Sequence, residues 1–294
     1  MTRHFDRRDF LRATGAAGIG LGLTGLGGSS LLAAVRAAGA PNAEKLGWRL
    51  GCQAWTFHRS TLFDAIEKTA SLGLKYIETY VGQRLSEDHP AVEFRSNLPA
   101  NLRTLVKKKA ADSGVKLLSH CDVDGPPQEL LQFCKDLGME MLIAEPPKDA
   151  LDAFEKLCKE YAIPLALTNH PKPALYSNPD TVLKACNGRS QWIGASGDIG
   201  HWVREGYNPS ECMHKLEPRL LQFHFRDMNR YGGEAMDVPL GTGMCNIKEI
   251  LARLHHKRIK PIFMLEYKDS YSLPQLAQSI KFFDNVAAEF VANG

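Results

Sequence analysis

Three apolar runs in the second half of the chain end in side chains able to bind a metal ion or move a proton. The run Trp192 to Ala195 leads into Gly197-Asp198-Ile199-Gly200-His201-Trp202. Leu220 to Phe225 carries His224 and ends in Arg226-Asp227, and Pro261 to Leu265 ends in Glu266-Tyr267. A charged group at the end of a buried strand costs several kcal/mol unless it is paired, on the order of the desolvation penalty of one ion. One shared cation resolves that cost for all three, and three such ends in series argue against separately satisfied core polar groups.

The elements that must position these residues follow from the alternation along the chain. From Leu46 onward, strand-like and helix-like segments alternate, the pattern of a parallel α/β fold. The strands read as 48–57, 75–80, 115–123, 140–145, 164–170, 191–198, 220–227 and 260–267. Helices open at Ser60 or Thr61, Pro179-Asp180 and Asn208-Pro209, and the last runs from Leu273 to Val291. Residues 81–99 and 231–243 read as loops over the mouth. This predicts a single (β/α)8 TIM barrel over residues 41–294, a span close to the ~250 residues typical of that fold. In such a barrel the C-terminal strand ends converge on one site, here a ring of Glu78, His120, Glu145, His170, Asp198 with His201, His224 and Glu266.

The first 40 residues read differently. Arg7-Arg8-Asp9-Phe10-Leu11-Arg12 is a twin-arginine pattern, followed by a Gly/Ala/Leu-rich stretch that ends in small residues. The expectation is a twin-arginine signal peptide over 1–40 and export, to the periplasm. The alternative is a membrane anchor; the stretch is glycine-rich and weakly apolar, so no stable membrane insertion is expected. The whole chain carries 36 Lys and Arg against 33 Asp and Glu. Five of those arginines and two of those aspartates lie in the leader, so the remainder is formally neutral and has no electrostatic footprint for nucleic acid. The seven cysteines occur singly, without a Cys-x-x-Cys pair, which speaks against a disulfide framework and against a structural zinc site.

The motifs Asp198-Ile199-Gly200-His201, His224-x-x-Asp227, Pro239-Leu240-Gly241-Thr242-Gly243 and Leu265-Glu266-Tyr267, in that order, make the chain resemble the sugar phosphate isomerase/epimerase superfamily. These are the xylose isomerase-like TIM barrels, which also include endonuclease IV. The resemblance implies one divalent metal ion (Mn, Mg, Co, Fe or Zn) held by a glutamate, Asp198, His224 and Glu266. Relatives carry the first glutamate on the fifth strand, where this chain has Thr168; Glu145 and His170 are the two replacements, with Glu145 expected to bind the metal and His170 the substrate. Arg226 stands where many relatives have lysine.

Such a metal chelates a ketose carbonyl and the adjacent hydroxyl and acidifies the C–H between them by stabilising an enediolate. Glu145 and Glu266 are then the candidate acid/base pair, with His201 as a proton shuttle or hydroxyl donor. Glu78, His120, His170, Arg226, Asp227, Trp55 and Trp202 are the candidate contacts to a small carbohydrate, the two tryptophans by stacking. The expected activity is metal-dependent isomerisation or epimerisation of a keto-sugar. A lyase or hydratase acting on 3-keto-glycosides shares the same enediolate and remains an alternative; a non-catalytic sugar-binding module is a third reading. A nuclease would need a basic groove that the neutral domain lacks.

Overall fold

The computed structural model describes residues 38–123, 125–268 and 272–293; residues 1–37, most of the expected leader, lie outside them. Eight parallel strands close into a barrel: β1 (Arg49–Gln53), β2 (Tyr76–Tyr80), β5 (Lys116–Cys121), β6 (Met141–Ala144), β7 (Leu165–Thr168), β8 (Ile193–Asp198), β9 (Leu220–Phe225) and β12 (Ile262–Leu265). Around the barrel they run β1-β12-β9-β8-β7-β6-β5-β2. Two antiparallel pairs lie outside it, β3 (Gln83–Ser86) with β4 (His89–Phe94), and β10 (Asp227–Met228) with β11 (Asp237–Val238). The expected TIM barrel is therefore observed, with shorter strands than the sequence suggests.

The helix starts follow the local chemistry. Thr61 caps Leu62–Ser71 in a reciprocal box with Asp64, and Asn178 and Asn208 cap Pro179–Cys186 and Pro209–Leu216 ahead of a proline at the first helical position. The final helix, Leu273–Asn293, sets Phe283 against Phe225 and Phe263 at ring separations of 5.7 and 5.0 Å, sealing the outer core beside β9 and β12. Among the described residues no helix is long and apolar enough to cross a membrane.

The barrel interior is layered. Leu118, Met141, Ile143, Ala166, Ile262 and Met264 form an apolar plug. Above it lies a hydrogen-bonded polar layer of Gln53, Glu78, Ser119 and Gln222, and above that stand Asp198, His224 and Glu266.

Two register shifts set which side chains enter this interior. Ile77 pairs with Leu117 but Glu78 pairs with Ser119, so Leu118 is an extra residue in β5. Leu118 and Ser119 consequently both face inward, and His120 is turned out of the barrel against Phe94 and Phe133. The expectation that His120 points into the mouth with Leu118 fails for this reason. A similar shift between β8 and β9 brings Gln222 opposite Ser196 and leaves His224 beside Asp198.

Two further expectations are corrected. Residues 81–99 are not an open loop: β3 and β4 make a hairpin that buries Leu85 and Phe94 in the outer core. The first strand stops at Gln53, and a 3-10 turn, Ala54–Phe57, carries Trp55 to the mouth.

Candidate metal centre and its pocket

Asp198, His224 and Glu266 come from the ends of three neighbouring strands, and a ligand atom of each lies within 4.8 Å of the other two. His224 Nδ1 is 3.5 Å from Asp198 Oδ2 and 3.3 Å from Glu266 Oε2. The other ring nitrogen, Nε2, is 2.6 Å from Glu78 Oε1. Glu78 is fully buried, and its oxygens also accept from Gln53 Nε2 (2.5 Å), Gln222 Nε2 (2.5 Å) and Ser119 Oγ (2.6 Å). Burial opposes ionisation of Glu78, but His224, Ser119 and Gln222 outweigh it and hold the carboxyl below its ordinary range. An ionised Glu78 accepts the Nε2–H, which leaves Nδ1, facing the two carboxylates, as the nitrogen a metal ion would take in place of its proton, the outer-shell arrangement found around metal-binding histidines.

A second buried layer holds the carboxylates from the side. Arg226 is fully buried and forms a bidentate pair with Asp237 (Nε to Oδ1 and Nη2 to Oδ2, both 2.8 Å), while its Nη1 lies 3.3 Å from Asp198 Oδ2 and 3.7 Å from Glu266 Oε1. Burial works to raise the Asp198 pKa, yet the charge of Arg226 and the bond from His224 hold it well below the usual carboxylate range. For Glu266, burial prevails over Arg226 and His224 and the pKa is raised. Two glycines make the packing possible. A Cβ on Gly197 would sit 2.4 Å from Trp202 Cη2, and one on Gly200 would sit 2.5 Å from Arg226 Nε.

The centre opens into a pocket of about 280 Å³, lined by Gln53, Trp55, Tyr80, Cys121, His170, Pro171, Asp198, His201, His224, Glu266 and Lys268. His201 lies in the first turn of the helix Ile199–Arg204, not on a loop; Asp198 caps that helix by accepting the His201 N–H at 2.8 Å. Burial pushes the His201 imidazole down to about 3, so it is neutral at physiological pH. Asn169 ties β7 to β8 reciprocally, donating from Nδ2 to Asp198 O (3.1 Å) and accepting at Oδ1 from Asp198 N (2.7 Å). That clamp sets His170 beside His201, with ring centroids 5.2 Å apart.

The family model for xylose isomerase-like TIM barrels matches residues 66–286. The chain belongs to the xylose isomerase-like TIM barrel family. Among solved structures it is similar to an uncharacterised protein from Parabacteroides distasonis, at 28% identity and a TM-score of 0.67, covering 81% of this chain and 98% of that one. A D-tagatose 3-epimerase-like protein shares the fold at 17% identity and a TM-score of 0.65, covering 83% and 99%. The 3-keto-D-glucoside 4-epimerase of E. coli does so at 13% identity and a TM-score of 0.61, covering 81% and 99%. No curated protein matches the chain in sequence.

Several residues expected at this xylose isomerase-like site take other places. Glu145 does not join the three ligands: its Oε1 is occupied by the His170 backbone N–H at 3.0 Å and by the His170 ring, because its strand, β6, ends at Ala144 and the side chain is held sideways toward the end of β7. Glu78 is sealed beneath His224 and cannot reach a substrate in the pocket. Asp227 faces the loop after β11, accepting from the backbone N–H groups of Met228 (2.9 Å), Gly241 (2.9 Å), Gly243 (2.9 Å) and Cys245 (3.1 Å). Trp202 is buried against Phe223 on the outer face of the barrel, and Arg226 is sealed behind Asp198. Trp55, His170 and His201 do line the pocket, and Trp55 is 40% exposed with Tyr80 edge-on at 5.0 Å. Thr168, at the position where the family resemblance implies a glutamate, is buried, so β7 ends without a carboxylate.

Gln53, Asn169, Asp237 and Lys268 were not singled out from the sequence. For Gln53 and Asn169 the available signal was position, since each is a polar amide at the end of an apolar barrel strand.

Proposed function

We propose that the chain is a divalent-metal-dependent isomerase or epimerase acting on a keto-sugar. The observation that carries this reading is the convergence of Asp198, His224 and Glu266 at the mouth, with His224 oriented from behind by Glu78. The donor set suits such an ion: two carboxylates and one imidazole nitrogen, with the second nitrogen already satisfied and open space on the pocket side. A divalent ion held there supplies Lewis acidity that stabilises an enediolate.

The chain's own residues do the rest. Glu266, whose pKa is raised, is the group that takes the proton from the carbon next to the carbonyl. Neutral His201 is available to hydrogen-bond a hydroxyl, and the exposed face of Trp55 is available for a sugar ring. A second reading, a lyase acting on a 3-keto-glycoside, is favoured by one observation: Glu145 is turned away from the pocket, so the two-carboxylate exchange expected from the sequence has only one carboxylate base in place.

The test is to purify the mature domain, measure its metal content, and incubate it in D2O with D-fructose and with methyl 3-keto-glucoside. Deuterium at the carbon beside the carbonyl supports proton abstraction; a C-3 epimer or an aldose from D-fructose, or a C-2 or C-4 epimer from the 3-keto-glucoside, then identifies the isomerase, and an ultraviolet-absorbing enone the lyase. Absence of both metal and deuterium would sink the reading. We further propose export by the twin-arginine route, on the strength of Arg7-Arg8 and the residues that follow them.

A further inference from the structure

His170 and Glu145 form a unit at the pocket wall. The Glu145 carboxylate is nearly buried, whereas the His170 side chain is 43% exposed and lines the pocket. One oxygen, Glu145 Oε1, receives the His170 backbone N–H at 3.0 Å and also meets ring Nδ1. This fixes the backbone and the ring together. It also fixes the tautomer, because a carboxylate against Nδ1 keeps the proton there and leaves Nε2 to the pocket.

The loops carrying the pair are tied down. Tyr176 donates to Pro146 O at 2.7 Å, and Asn169, the residue before His170, is bonded through its side chain to the Asp198 backbone in both directions. Around the barrel, β7 lies three strands from β12, so His170 approaches the pocket from across the mouth relative to Glu266. Burial works against the imidazolium form, but the bond to Glu145 and its charge prevail and raise the His170 pKa.

We propose that His170 is the second proton-transfer residue of the site, acting through Nε2, with Glu145 as its positioning residue. This rests on the keto-sugar reading above. Glu266 takes the proton from the carbon beside the carbonyl, and the C–H electron pair moves toward the carbonyl oxygen. In an epimerisation, His170 Nε2–H then returns a proton to the opposite face of that carbon. In an elimination, the electron pair instead forms a C=C bond as the C–O bond to the β-substituent breaks. The departing oxygen keeps that bond's electron pair and takes the Nε2 proton, leaving an enone, an alcohol, a protonated Glu266 and a neutral His170 that re-equilibrate with water. The imidazole thus takes the side of the pocket from which the carboxylate of Glu145 is withdrawn.

The test uses the metal-loaded mature protein, its His170→Ala and Glu145→Gln variants, and the same two probes. His170→Ala is expected to keep its metal and to keep deuterium uptake at the carbon within about threefold, while product formation falls by about 10² to 10⁴, the usual worth of one acid/base group. Added imidazole should restore part of that loss. Glu145→Gln, close to isosteric, should lower kcat with little change in KM and move the alkaline limb of its pH profile, where the His170 donor loses its proton, to lower pH. Independently of any substrate, nitrogen-15 spectra should show His170 protonated at Nδ1 in the wild type and a mixed tautomer in Glu145→Gln. Wild-type product formation in His170→Ala, or loss of its metal, overturns the proposal, as does a neutral wild-type ring protonated at Nε2 alone and bare at Nδ1. If the wild type exchanges neither probe, the keto-sugar reading fails while the tautomer still judges the pair.

Discussion

Glu78 Oε1 lies 2.6 Å from His224 Nε2 inside the barrel, where the polar layer meets the candidate metal centre. The contact links strands from opposite ends of the sequence, β2 and β9, and gives Glu78 control over which nitrogen of His224 faces Asp198 and Glu266. Replacing Glu78 by Gln removes the charge that draws the Nε2 proton and turns an amide against three donors already aimed at that position. Metal affinity should fall by about 10- to 100-fold, the usual cost of losing an outer-shell carboxylate. Competition with a chelator measures it, and an unchanged affinity would show that His224 is oriented by something else. Asp198→Ala and His224→Ala should lose the ion outright.

His120 is the residue whose predicted and observed places differ most, and its titration offers a clean test. Burial lowers its pKa from 6.5 to about 4. The unfolded chain therefore binds a proton at His120 near pH 6.5 while the folded protein does not until about pH 4. Stability must fall as pH drops through that window, by roughly 1.4 kcal/mol per pH unit, or about 3 kcal/mol in all. A His120→Leu variant should lose the hydrogen bond to Thr79 and about 1 kcal/mol at pH 7.5, yet show a flatter decline between pH 6.5 and 4. Its metal content and deuterium exchange should match the wild type. Denaturant unfolding at several pH values reads the slope, and an unaltered slope would refute the buried, neutral imidazole.

The contrast between His120 and His224 shows what was legible in the residues. Both sit in apolar strands at alternate positions, and both alternations predict an inward ring. His224 is inward because Gln222, Phe223, His224 and Phe225 keep strict phase after their register shift, whereas Leu118 is inserted just before Ser119 and reverses the phase for His120. A bulge arises from pairing with a neighbouring strand, so no single strand's pattern reveals it. Asp198, His224 and Glu266 were recognisable because each is the polar end of an otherwise apolar run. Asp237 was not, because it stands in no apolar run and its role exists only through the pair with Arg226. Glu145 was placed one step wrongly for a related reason. The strand end was found, but the direction of the side chain depends on His170, which belongs to the next unit.

Export can be tested apart from catalysis. Changing Arg7 and Arg8 together to lysine should leave the precursor in the cytoplasm at its full length, since the twin-arginine pattern is the feature that motivates the proposal. Fractionation with an antibody to the barrel domain reads the outcome. Normal appearance outside the inner membrane would mean that another route is used.

Gly200 gives the most exposed prediction, because two effects of opposite sign meet there. It lies in the helix Ile199–Arg204, where replacing glycine by alanine ordinarily stabilises by about 1 kcal/mol through helix propensity. A Cβ at this position would stand 2.5 Å from Arg226 Nε and 2.7 Å from Cζ, and Arg226 is fully buried with its guanidinium held by Asp237 and Asp198. The guanidinium cannot swing into solvent, so the strain falls on the pair with Asp237 and on the position of Asp198. Overpacking of this kind costs about 1–3 kcal/mol and should outweigh the helical gain. Gly200→Ala is therefore expected to be destabilised and to bind metal more weakly, although residue 200 touches no ligand of the ion directly. Truncating the other partner in Arg226→Ala removes Cδ, Nε and Cζ from the point of collision, so the double variant should be less impaired than the two single losses predict, with a coupling of at least 0.5 kcal/mol. A Gly200→Ala variant that gains stability and keeps its metal affinity would show that Arg226 is not wedged against this helix, and that Asp198 is set by its cap and by Asn169 alone.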